Sequence, residues 1–243
     1  MSKTSMVTTK LRVAGNDHTP CLLHCQPVNC ITVVTTAPFR GQRIVGGNVA
    51  LDLLNTQNGP AGEPPEDDVL LDYGDLIAWA SHVGLVSAPE ARKLRYRARE
   101  RPAEADSAFE RAQRTRAYLH DLFEAVARGK PPARADLQRL QDDAAEALSH
   151  GRLVPTDGHY GWNWAEDSDL SRPLWPIIHA AMTLLTDGPR DRIKGCGSCR
   201  FLFVDESRNR SRRWCSMDDC GTEDKMRNYV ARRSLARARR TKD

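Results

Sequence analysis

Four cysteines constrain this chain more than any other feature. Cys196 and Cys199 lie in CGSC, fifteen residues intervene, and Cys215 and Cys220 bound CSMDDC. Two short-spaced pairs bring four soft thiolates to one point with little backbone strain, as a tetrahedral zinc site requires. The competing chemistry is a redox-active CxxC, which ordinarily opens a helix within a βαβ unit. No such context surrounds Cys196, and a second pair waits at the right spacing. The expectation is one Zn²⁺ held by Cys196, Cys199, Cys215 and Cys220. A module this small buries too little surface to fold unaided, so the metal would carry folding free energy.

The charge is divided along the chain. The net charge of +4 conceals a stretch from Arg190 to Asp243 with sixteen Lys/Arg and eight Asp/Glu, against 20 basic and 24 acidic residues before it. Such a split predicts a polyanion-binding module attached to a neutral-to-acidic body. No run approaches the roughly 20 apolar residues of a membrane span. The first residues, MSKTSMVTTKLRVAGNDHTP, lack the apolar core of a signal peptide. A cytoplasmic protein with reduced thiols and no membrane association is expected.

Three segments follow from composition. Residues 1–42 are rich in Thr, Pro and Gly and lack helical periodicity, so they are read as a disordered extension; they contain Cys21, His24, Cys25 and Cys30. Residues 43–188 form a mixed α/β, mainly helical body. IVGGNVALDLLNT gives a short strand and a short apolar helix, and Asp75 is expected to cap DLIAWASHVGLV. Ser87 and Glu90 make a capping box, with Pro89 in the first turn of a helix running to about Arg99. Pro102 opens a longer helix that Gly129 ends, and Leu137, Leu140, Ala144 and Leu148 stripe the next. GRLVPTDGHYGWNWAE reads as a hairpin, and Leu174, Ile177, Ile178, Ala181, Leu184 and Leu185 mark a central core helix.

Residues 190–243 are the zinc module. Gly195 and Gly197 flank Cys196, FLFV alternates as a strand, and Asp218 and Asp219 suit a helix start. Knuckle, hairpin and helix follow in the order of a treble-clef-like finger, with Phe201, Phe203 and Trp214 as its small core. The last helix carries eight Lys/Arg and no acid from Lys225 to Lys242. Met226, Tyr229 and Val230 are expected to pack back on the finger. Arg227, Arg232, Arg233 and Arg237, with Arg208, Arg210, Arg212 and Arg213 on the preceding loop, are the candidate phosphate contacts.

FLFVDESRNRSRRWCSMDDCG and the spaced cysteines resemble the CGNR zinc-finger family. VGGNVALDLLNT, DYGDLIAWASHVGLV and LWPIIHAAMTLLT are similar to the ABATE domain that usually precedes this finger. The resemblance covers roughly residues 44–240. It implies a bacterial transcription regulator with a C-terminal DNA-binding finger and an N-terminal domain of unknown ligand. This chain departs from the naming tetrapeptide: Cys220 and Gly221 are followed by Thr222 and Glu223 instead of Asn and Arg. Zinc ligation is untouched, but a phosphate contact by that Arg would be replaced by repulsion.

No catalytic constellation is present. His82, His120, His150, His159 and His179 sit in no nucleophile elbow, phosphate loop or metal-binding helix pair. His179 is expected to be a hydrogen-bonded core or edge histidine, and Trp162, Trp164 and Trp175 to pack rather than line a pocket. The reading is a non-enzymatic, zinc-dependent DNA-binding regulator whose body senses a small-molecule ligand or forms a homodimer. The alternative is an adaptor whose basic helix meets an acidic protein or RNA. A salt-sensitive shift of random duplex separates the two.

Overall fold

The computed structural model describes residues 37–156, 159–164 and 169–240. Cys21, His24, Cys25, Cys30 and the expected extension lie outside the described residues.

The body is a layer of helices around one apolar core. A short helix α1 (Val49–Leu54) is buried along its whole length. Six residues cannot sustain a helix in water, so tertiary burial holds it. Asn48 caps it by accepting from the Ala50 amide at 2.9 Å. Strands β1 (Gln57–Asn58) and β2 (Asp67–Asp68) pair antiparallel before helix α2 (Tyr73–His82). Asp72, not Asp75, caps α2: its carboxylate accepts from the Asp75 amide at 2.8 Å. Both are aspartates three residues apart, and only the backbone turn decides which is outside the helix.

Helix α3 (Ala88–Glu100) begins with the expected reciprocal capping box of Ser87 and Glu90. Helix α4 (Pro102–Ala127) follows at once and ends at Gly129, whose φ of +66° suits glycine. Helix α5 (Arg134–Ser149) leads into the hairpin of β3 (Arg152–Thr156) and β4 (His159–Asn163), with Leu153 opposite Trp162. Helix α6 (Leu174–Thr186) is the centre: Leu174, Trp175, Ile177, Ile178 and Ala181 are wholly buried. It packs on α5 and α1. Its apolar stripe is wide because it is covered on more than one side.

Polar groups inside the body are mostly paired. Arg172 donates to Leu85 O at 2.6 Å, Glu90 at 2.8 Å and Trp164 O at 3.2 Å. Arg116 donates to Thr56 at 2.7 Å and forks onto Asp68. Trp164 donates its indole N–H to Ala147 O at 2.7 Å. Trp175 lies between the His150 ring and the Arg111 guanidinium, each 4.7 Å away. His179 differs from expectation. It sits among Trp162 and Trp164, its buried Nδ1 has no hydrogen-bond partner among the described residues, and burial lowers its pKa. Aromatic faces surround it where a carbonyl or hydroxyl was expected.

Among the described residues no helix is long and apolar enough to cross a membrane.

Candidate metal centre and basic module

The site is built on a hairpin that two cores share. Strand β5 (Ile193–Gly195) pairs antiparallel with β6 (Leu202–Val204), with Ile193 opposite Val204 and Gly195 opposite Leu202. The first cysteine pair therefore sits at the hairpin tip, where the Cys196 amide donates to Phe201 O at 2.8 Å. Side chains alternate across a strand. Ile193, Leu202 and Val204 thus join the main core, while Phe201 and Phe203 face Cys196, Cys215, Cys220 and Trp214.

The second pair arrives from a loop. Residues 205–214 cross over the hairpin, and the Gly197 amide donates to Arg213 O at 3.0 Å. Ser216 then caps a π-helical turn, Met217–Gly221, by accepting from the Asp219 amide at 3.3 Å. At Gly221 a Cβ would come within 2.7 Å of Met217 Sδ, the end of a flexible and exposed side chain, and would touch the Trp214 ring at 3.4 Å. Helix α7 (Thr222–Arg240) starts directly after it.

The four sulfurs converge. All lie within 4.8 Å of one another, with Cys199–Cys215 at 3.6 Å and Cys215–Cys220 at 3.7 Å. A tetrahedron with metal–sulfur bonds of about 2.3 Å has sulfur–sulfur edges of about 3.8 Å. Cys196, Cys215 and Cys220 are buried and Cys199 is half-buried. The donor set fits one zinc ion in a closed structural site with no ligand position left open for catalysis.

The thiol chemistry agrees with a dication. Hydrogen bonds from Cys199 and Cys215 draw the Cys196 pKa down. The same crowding pushes the others up: Cys199 through its bond to Cys196, Cys215 through Cys196 and Cys199, and Cys220 chiefly through burial. One thiolate is accommodated and the next three are opposed. Four thiolates together need a bound positive charge.

A carboxylate organises the loop. Asp205 is wholly buried and accepts from Lys194 Nζ at 2.7 Å, the Ser207 amide at 2.9 Å and the Arg212 amide at 3.1 Å. Burial works against its ionisation, but these donors prevail and hold its pKa well below the usual carboxylate range. The local sequence, DES after a short strand, marks Asp205 as no more than a turn residue. Its position after a buried strand was the available sign.

The candidate phosphate contacts divide in two. Arg212 is engaged inside the module: its guanidinium lies 4.2 Å over the Phe203 ring and bonds Trp214 O and Cys215 O. Arg210 pairs with Asp191. Arg213 is exposed and lies 5.0 Å over the Trp214 ring. Arg208 and Arg232 are exposed, with no side-chain partner among the described residues. Arg227 donates to Ser198 at 2.9 Å, and Arg233 stacks on Tyr229 at 5.6 Å. Arg237 lies on α7, its side chain outside the described residues. Thr222 and Glu223 occupy the exposed first turn of α7, where Thr222 donates to Met217 O at 3.1 Å.

Met226, Tyr229 and Val230 do not pack back on the finger; they are 60%, 55% and 58% exposed. Phe201, Phe203 and Trp214 already fill the small core. Helix α7 packs chiefly on the turn before it.

The module is sewn to the body. Asn55 donates to Leu202 O and accepts from the Leu202 amide, both at 2.9 Å and buried. Val204 N donates to Gly46 O at 2.8 Å and Arg200 N to Gly59 O at 3.0 Å. His120 of α4 donates to Arg200 O at 3.3 Å, and Arg43 pairs with Asp219. Sequence reading missed all of these, since they join residues far apart in the chain.

Comparison with known families matches both parts. Residues 47–188 match the ABATE model, described as "Putative stress-induced transcription regulator", and residues 192–233 match that of the CGNR zinc finger. No curated protein matches the chain.

Proposed function

Because the chain belongs to the ABATE family and carries a CGNR zinc finger, we propose that it is a zinc-dependent, DNA-binding transcription regulator and not an enzyme. Cys196, Cys199, Cys215 and Cys220 hold the ion, whose part is structural: it neutralises the four thiolates and ties the loop to the hairpin tip. The body senses a small-molecule ligand or mediates dimerisation.

The observation that carries this reading is α7. It leaves a closed metal site as a helix with little packing of its own, acid-free from Lys225 onward. A dense cationic helix whose one carboxylate pair, Arg227 with Asp224, lies in its first turns suits phosphate along the rest of its length, which supplies affinity and orientation. Arg208 and Arg213 extend the surface onto the loop, whereas Arg212 acts indirectly by fixing the loop against Phe203.

The test is a titration of random-sequence duplex across salt. Each phosphate contact contributes a slope of about −0.9 on a log–log plot. Arg232→Ala with Arg233→Ala should flatten the slope by about two units and weaken all sequences alike. Unchanged slope and affinity would move α7 to the adaptor role, with an acidic protein or RNA as its target.

A further inference from the structure

A second cationic surface lies on the body. From Ala91 to Arg101 the chain reads ARKLRYRARER, with six basic residues and one acid. In a body that is net acidic, this concentration on one helix is anomalous. The structure sorts the run by face. Ala91 and Leu94 are buried and Ala98 packs against the core. Arg92, Arg95, Tyr96 and Arg99 recur at three- and four-residue steps on the other side, which places them in one stripe.

The stripe is left unneutralised. Arg92, Lys93, Arg95 and Arg99 have no ion pair or side-chain hydrogen bond among the described residues. On α4 and α5, by contrast, most cations are paired: Arg101 with Glu104, Arg111 with Glu146, Arg114 with Glu110, Arg128 with Glu124 and Arg139 with Asp136, Arg134 being an exception. Tyr96 stands at the apex of α3, 64% exposed, beside Arg92, Lys93 and Arg97 in a shallow depression. Arg92 and Lys93, two of the cations beside this exposed tyrosine, have no ion pair among the described residues. Tyr96 offers a hydroxyl and a flat ring to a polyanion.

We propose that this face of α3 is a second phosphate-backbone contact for the DNA bound by the finger; the inference rests on the DNA-binding reading above. Charge favours this occupant: a second copy of the face would bring like charges together, whereas duplex DNA supplies a line of phosphates. Geometry allows it. Helix α4 packs on α3, buries Ala105 and Ala108 in its N-terminal half and, fifteen residues after Ala105, meets the zinc knuckle through His120. Fifteen residues of helix span about 22 Å, inside one duplex turn of about 34 Å. A single continuous helix therefore joins the part of the body that carries α3 to the zinc knuckle over less than one duplex turn.

The test uses the zinc-loaded full chain and a random-sequence duplex of about 30 base pairs, roughly three turns. R92A/R95A/R99A should flatten the salt slope by about two to three units and weaken binding at least roughly tenfold near 0.1 M salt. R92K/R95K/R99K should retain the slope, because phosphate contact depends on charge. Melting temperature should be unchanged in both, since the stripe lies off the core. Wild-type slope and affinity in the alanine variant, alongside weakened binding by the α7 variant, would overturn this inference and leave the function standing. If that alanine variant instead loses retention on immobilised polyglutamate, the surface belongs to an acidic protein partner. Absence of duplex binding by the wild type would overturn both.

Discussion

The two halves of the finger are built differently, although four equivalent thiols join them. The first half, β5 and β6, has a face in the main core and a buried double hydrogen bond from Asn55. The second half, residues 206–240, has the small cluster around Trp214, the contacts of Arg212 and Arg43, bonds to its loop backbone from Arg192, Lys194 and Gly197, and the sulfurs. The hairpin is part of the body that happens to carry two ligands. The loop and α7 are an appendage that the metal fastens. Zinc occupancy should therefore govern the basic helix more than the fold as a whole.

Two buried aspartates repeat the contrast at the level of single groups. Asp52, on α1, accepts one amide bond from Gly46 at 2.7 Å, and its other oxygen has no partner among the described residues. Burial raises its pKa to about 7. Asp205 receives three donors and is held low. The body tolerates an under-satisfied acid because apolar packing outweighs it. The module, with little apolar area, needs every donor.

The largest effect expected comes from Cys215→Ser. Structural zinc sites contribute apparent free energies of about 10–16 kcal/mol, so one lost thiolate should take metal content from one ion per chain to near none. Trp214 fluorescence should shift to that of an exposed indole, while the helical circular dichroism of the body persists. Full metal retention would break the ligand assignment.

Asn55→Ala attacks the other half. It orphans the buried Leu202 N–H and C=O, at about 1–3 kcal/mol each. A loss of about 2–6 kcal/mol in urea unfolding is expected, with zinc still bound at neutral pH. A loss under 0.5 kcal/mol, about what an exposed site shows, would mean the hairpin is not seated in the body.

Asp52→Asn is a smaller change with a defined sign. Because the folded pKa of Asp52 is raised to about 7, its contribution is complete below the unfolded pKa and is lost as pH rises from about 4 through about 7. Asp205, Asp75, Glu90 and Glu146 are lowered, so their contribution is present above the unfolded pKa and lost as pH falls through the folded values. The variant should flatten the decline in stability between about pH 4 and pH 7 without removing the contribution of the lowered carboxylates, with each pKa unit worth about 1.4 kcal/mol. An unchanged profile would place the Asp52 pKa near its ordinary value.

Much of this was legible in the sequence where the signal is local. Cysteine spacing states its own chemistry. Ser87 and Glu90 announce a cap, and Leu174 to Leu185 announce the core helix. Long-range pairings were not legible: nothing local in Asn55 points to Leu202, 147 residues away. Nor does sequence distinguish Arg212, folded over Phe203, from Arg208, left in solvent. Met226, Tyr229 and Val230 have the spacing of a packed stripe, but spacing does not tell whether a partner face exists. The run ARKLRYRARER was readable as basic; that Arg92, Lys93, Arg95 and Arg99 have no ion pair among the described residues required the fold.

Hydrogen exchange on the full chain, with zinc bound and after chelation, tests the central claim most directly. The amides of Leu202 and Val204, donated to Asn55 and Gly46, should stay protected in both states. The amides of α7 and of the turn Met217–Gly221 should lose protection once zinc is removed. Loss of protection at Leu202 and Val204 together with α7, or retention throughout, would contradict a finger of which only one half depends on the metal.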